Sequence, residues 1–185
     1  MDARTRLVEE LRTHALVIGE VTLSSGKVAG YYVDAKRAIL LPAGFHALAE
    51  LVAGFVRECG ATAVGGLTMG ADAPACAALA GGAEVKAFFV RKEAKPHGLQ
   101  RRVEGPLLDP GGERCVIVED VVTTGGSTVQ AIEAVQAEGH RVVGVISVLD
   151  RLAGGGAAIR AAAGAVPYEA LATIDHVYPD RPDAG

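Results

Sequence analysis

Apolar positions recur with two different periods along the chain. Leu7, Val8, Leu11, Ala15 and Ile18 are spaced as on one helical face, which predicts an amphipathic helix over residues 2–18. Residues 21–33 carry turn-forming Ser24-Ser25-Gly26 and then Gly30-Tyr31-Tyr32, the pattern of strands around a turn. Helical spacing returns over 42–59, where Leu48, Leu51, Val52, Phe55 and Val56 share a face, and Gly60 should end that helix. Beyond it, short apolar runs alternate with helical segments. Strands are predicted at 62–65, 85–90, 115–118, 142–149 and 168–174, and helices at 73–80, 127–138 and 157–163. Such alternation predicts an α/β fold, a parallel sheet covered by helices on both faces. Ligands of such sheets sit at the carboxyl ends of the strands, where Gly66, Glu119, Asp120, Asp150 and Arg151 fall.

Composition and charge narrow the picture. Half of the 185 residues are apolar and only 4% aromatic, which suits a valine- and alanine-rich layered core and excludes disorder. A formal charge of −4 argues against nucleic-acid binding. No apolar run reaches the roughly 20 residues of a membrane span. Met1-Asp2-Ala3-Arg4 lacks a signal-peptide core, so a cytoplasmic protein is expected. The three cysteines have no metal-like spacing and read as reduced, mostly buried thiols. Pro179 to Gly185 reads as a frayed tail.

Chemistry concentrates at Cys115–Thr128. A buried strand leads into Glu119-Asp120, followed by Val121-Val122-Thr123-Thr124-Gly125-Gly126-Ser127 and a helix. Glycines, hydroxyls and a helix N-terminus form a cradle for phosphate. Two carboxylates would repel that anion, which makes sense if they hold another part of the same ligand: a diol, a metal, or both; the alternative is a plain strand-to-helix turn with Ser127 or Thr128 as N-cap. A ribose 5-phosphate has this layout. Neither a P-loop nor a G-x-G-x-x-G sequence is present. A second signal is Arg91–Arg102, with five Arg or Lys residues and His97 in twelve positions. Such a segment could close over a densely charged leaving group, stabilising its charge and excluding water.

The Glu119–Ser127 run resembles the 5-phosphoribosyl-1-pyrophosphate (PRPP) motif of type I phosphoribosyltransferases, and Arg91-Lys92-x-x-Lys95-x-His97-Gly98 resembles the catalytic loop of the orotate branch. The resemblance implies a single phosphoribosyltransferase domain over 1–185, with a hood at about 1–40, a core at about 41–175 and a flexible lid at about 91–105. The hood would be built from the N-terminal segment, with the C-terminal segment as a further contributor. It implies transfer of phosphoribose from PRPP to orotate, giving orotidine 5-phosphate and pyrophosphate. Mg2+ would be carried by PRPP with no direct protein ligand assigned, and the enzyme would be a homodimer whose lids act across the interface. Glu119, Asp120, Val121, Val122, Thr123, Thr124, Gly125, Gly126 and Ser127 would bind PRPP, Thr123 and Arg151 orotate, and Arg91, Lys92, Lys95 and His97 would be catalytic. Lys27, Tyr31, Tyr32 and Asp72 are secondary candidates. Gly65–Asp72 is similar to the family's pyrophosphate loop but lacks the Tyr-Lys pair some members carry. The alternatives are a purine phosphoribosyltransferase and a non-catalytic sensor of PRPP or a nucleotide.

Overall fold

The computed structural model describes residues 1–22, 28–93, 102–106 and 112–182. Its main layer is a six-stranded sheet built from β3 (Ala63–Leu67), β4 (Lys86–Val90), β5 (Val103–Glu104), β6 (Arg114–Val122), β7 (Arg141–Asp150) and β8 (Tyr168–Thr173). The strand order is β5-β4-β3-β6-β7-β8, with every pairing parallel except β4 with β5. Helices α3 (Pro42–Glu58) and α4 (Asp72–Ala80) supply apolar residues to one core layer, together with Val116, Val118, Ile146 and Val148. Helices α5 (Gly126–Ala137) and α6 (Gly155–Ala163) pack into a second layer with Cys115, Ile117 and Phe88. Successive residues of β6 therefore enter opposite layers, the two-residue period of a strand buried on both faces.

The N-terminal region departs from its predicted form. Helix α1 ends at Glu10, a π-helical turn covers Leu11–Ala15, and Leu16–Thr22 is a strand, β1, where the spacing predicted helix through Ile18. β1 pairs antiparallel with β2 (Val28–Val33) in a separate two-stranded sheet. Leu7, Leu11 and Ala15 are fully buried, so the helical face is real, but β-branched Val17, Ile18, Val21 and Thr22 favour the strand beyond it. A short helix α2 (Lys36–Ile39), absent from the predicted elements, joins this hood to α3.

The chain's last helix, α7 (Ile174–Val177), returns to the hood. The Tyr178 ring meets Tyr31 edge-to-face at 5.4 Å, and Arg12 donates to the His176 carbonyl. Among the thiols, Cys115 is buried, Cys59 half-buried and Cys76 exposed, so the expectation of mostly buried cysteines fails at α4. Burial pushes the Cys115 thiol up to about 12, which keeps it protonated and inert. Among the described residues, no helix is long and apolar enough to cross a membrane.

Candidate functional site

β6 runs farther than its apolar stretch predicted, through Val122, so the acidic pair lies inside the strand and not after it. Glu119 pairs in register with Ser147 of β7. Alternation then sends the two adjacent carboxylates to opposite faces. Glu119 accepts a hydrogen bond from the Thr128 hydroxyl of α5 at 3.2 Å. Asp120 turns toward the hood, where Lys36 Nζ lies 3.0 Å from its Oδ2. The Val121 N–H donates to Asp120 Oδ1 at 2.8 Å, so both carboxylate oxygens are held. Gly70 completes the setting: a Cβ there would stand 2.4 Å from Asp120 Oδ1.

Both carboxylates are buried, with 4% of Glu119 and 8% of Asp120 exposed. Burial, reinforced by the Asp120 charge, pushes the Glu119 carboxyl up to about 8. Burial opposes the Lys36 ammonium as well, but the Asp120 and Asp34 carboxylates outweigh it and raise its pKa. Lys36 Nζ is also 3.0 Å from Asp34 Oδ1.

The loop after β6 forms a cradle of about 100 Å³ lined by Glu119 and residues 121–128. Gly125, at φ 81°, is the N-cap of α5, a role that leaves the exposed Ser127 hydroxyl outside the capping interaction. Its left-handed turn also packs against α6, where a Cβ would come 2.8 Å from the Gly155 carbonyl oxygen. The first residues of α5, whose N–H groups have no partner within the helix, line this cradle. Val122 differs from its neighbours: its side chain belongs to the core, and its carbonyl accepts from the Arg151 N–H at 2.9 Å.

A larger cavity of about 380 Å³ adjoins the cradle and shares Glu119, Val121, Thr123 and Ser127 with it. Its other walls bring together Tyr32 and Lys36 of the hood, Thr68–Gly70, Lys92 and Arg151. The Arg151 guanidinium lies 5.1 Å over the Tyr31 ring. Asp150 does not form an ion pair with Arg151. Its oxygens accept from the Leu152 N–H and the Tyr168 hydroxyl, both at 2.8 Å, and Ser147 lies 3.1 Å from the same hydroxyl.

Not every expected residue converges. Arg91 is exposed just beyond β4, bonded through Nε to Glu104 at 2.8 Å, and is not part of the cavity wall. Its backbone pairs with Arg102, extending the β4–β5 ladder. Asp72 starts α4 and accepts from Thr68 at 2.9 Å, while its Oδ1 is buried without a partner. Thus it organises the Gly65–Asp72 loop and does not line the cavity. The Thr68–Met69 peptide within that loop is cis. Lys27, Lys95 and His97 lie outside the described residues. Lys36 is not among the expected residues: its partner Asp120 is 84 residues away, and nothing local to Asp34-x-Lys36 signals that pairing.

Among the described residues, no three His, Cys, Asp or Glu side chains cluster in a way that could hold a metal ion. Among the described residues, Glu119 and Asp120 are the carboxylates that line the larger cavity, and Glu119 also lines the cradle.

Comparison with known proteins gives a consistent result. The family model described as "Phosphoribosyl transferase domain" matches residues 42–160. An orotate phosphoribosyltransferase of Corynebacterium glutamicum is 45% identical over 172 residues, 92% of this chain and 91% of that protein. Among solved structures, orotate phosphoribosyltransferase of Mycobacterium tuberculosis superposes with a TM-score of 0.84 at 40% identity, covering 95% of this chain and 99% of the other. The same enzyme in complex with PRPP gives a TM-score of 0.79 at 35% identity, covering 95% and 98%.

Proposed function

The chain belongs to the phosphoribosyltransferase family and, with orotate phosphoribosyltransferases as its relatives over about nine-tenths of its length, we propose that it transfers the 5-phosphoribosyl group of PRPP to orotate. The products are orotidine 5-phosphate and pyrophosphate, a step of pyrimidine synthesis. One observation carries the reading: a phosphate-sized cradle meets, at Glu119, a larger chamber lined by Asp120, Lys92 and Arg151. A ribose whose diol meets the carboxylates has its 5-phosphate in the cradle and its reacting C1 facing the chamber.

Orotate enters that chamber as a planar carboxylate. Arg151 offers it a fixed guanidinium fork, and Thr123 lies on the same wall. N1 of orotate forms its bond to C1 while the bond from C1 to the pyrophosphate oxygen breaks, and the electron pair leaves with pyrophosphate. The N1 proton is lost in the process. Holding both reactants in line replaces a bimolecular encounter, and no covalent enzyme intermediate is needed.

The lid supplies the rest of this reading. Lys92 already lines the chamber, and Lys95 and His97 follow it in sequence as candidates for leaving-group stabilisation or proton transfer. Arg91, bonded to Glu104, acts at the base of the lid. Mg2+, when bound, would travel on PRPP and offset the negative charge of the departing pyrophosphate. The resemblance of the Arg91–Gly98 run supports a homodimer with lids reaching the partner's site, and the N-terminal sequence and cysteine usage support a cytoplasmic location. Orotate depletion followed by absorbance, with PRPP and Mg2+, tests the reaction, and adenine, hypoxanthine and uracil serve as competing bases. Turnover of a purine but not orotate would replace this reading with the purine one.

A further inference from the structure

The wall expected to face pyrophosphate, Thr68–Gly70, contains no lysine or arginine, and neither does the rest of Gly65–Asp72. Pyrophosphate carries several negative charges and needs fixed cations nearby. Lys36 lines the same cavity as Thr68, Met69 and Gly70. It reaches there from the hood, with its side chain 34% exposed. An ammonium has three donors. Two are directed at Asp34 and Asp120, each at 3.0 Å, and Asp120 itself abuts Gly70.

We propose that Lys36 binds PRPP: its ammonium holds Asp120 for the ribose and gives its third N–H to the pyrophosphate lying along Thr68–Gly70. The lysine thereby supplies from the hood a charge that the pyrophosphate loop lacks. A single side chain then links the diol-binding carboxylate to the leaving group. The assignment rests on the PRPP reading above. It adds a residue that neither the motif nor the lid contains.

Calorimetric titration of PRPP with Mg2+, beside steady-state kinetics, tests it. Lys36→Met should weaken PRPP binding by roughly tenfold or more, as expected for losing charge-assisted hydrogen bonds, and leave the KM for orotate within about threefold. Lys36→Arg should recover most of the affinity, because it keeps the charge. Asp34→Asn removes only one of the two competing carboxylates, so PRPP should bind as well as in the wild type or more tightly. A folded Lys36→Met variant with wild-type PRPP affinity would overturn the proposal. So would an Asp34→Asn variant that weakens PRPP and orotate alike, since that marks the lysine as a hood anchor; this holds even if Lys36→Met does not fold. Wild-type protein that binds PRPP but fails to consume orotate would instead defeat the functional reading and leave Lys36 standing.

Discussion

The guanidinium of Arg151 rests 5.1 Å over the ring of Tyr31, so the end of a core strand is held by a strand of the hood. Tyr31 is 5% exposed and is itself braced by Tyr178, while its neighbour Tyr32 faces the cavity. The contact fixes where the guanidinium points. Tyr31→Phe keeps the ring and its contact with Arg151, so it should raise the KM for orotate less than loss of the ring does. Tyr31→Leu loses the cation–π contact and should raise that KM roughly three- to tenfold, with the KM for PRPP little changed. Arg151→Gln, which removes the charge, should exceed both. Equal effects of the Phe and Leu variants would show that the ring does not orient Arg151.

Asp120 and Gly70 give a sharper geometric test. A methyl group at position 70 would have to occupy space 2.4 Å from Asp120 Oδ1, and that oxygen also accepts the Val121 N–H. Gly70→Ala should therefore displace the carboxylate and weaken PRPP binding about tenfold or more, by the cost of a misplaced charged hydrogen bond. Gly70 lies in a loop and has no left-handed φ to accommodate, so the thermal midpoint should fall by only a few degrees. Unchanged PRPP affinity in a folded Gly70→Ala protein would refute this packing.

Much of this site was readable in the chain because its signals are local. Glu119–Ser127 is one continuous run, and the strand-turn-helix around it follows from apolar period and glycine placement. Lys36 was not readable in the same way. Its partner Asp120 is 84 residues away, and no local pattern announces a pairing across that distance. The end of α1 failed for a different reason: Ile18 continues a helical spacing whose fate is decided by pairing with Tyr31 across the hood. Tertiary context overrides local period there. Arg91 shows the converse, a residue inside a charged motif whose side chain is taken by Glu104.

Tyr168 is hydrogen-bonded to the residue that precedes Arg151. Its hydroxyl donates to buried Asp150, and burial, with that carboxylate adding to it, raises the phenol's pKa and keeps the donor protonated. Tyr168→Phe leaves one Asp150 oxygen without this bond, which should cost about 1–3 kcal/mol of stability by chemical denaturation. Because Asp150 and Leu152 flank Arg151, the same variant should raise the KM for orotate severalfold while the PRPP affinity holds. A stability loss with both substrates unaffected would confine Tyr168 to the fold.

Glu119 should make the stability of the free protein depend on pH. Its carboxyl titrates at about 8 in the folded chain against an ordinary 4.5, with burial as the main cause. Between those values the folded state retains a proton that the unfolded state has released, so stability falls as pH rises from about 4.5 to about 8. The total loss from this group is of the order of a few kcal/mol. Glu119→Gln cannot ionise and should escape it. Urea melts at pH 5 and pH 8.5, both chosen as roughly outside or at the edges of the titration, should show the Gln variant gaining on wild type as pH rises. Parallel pH profiles for the two proteins would mean that Glu119 is already ionised in the folded state, with its charge met by groups other than Thr128 and the Asp120 N–H.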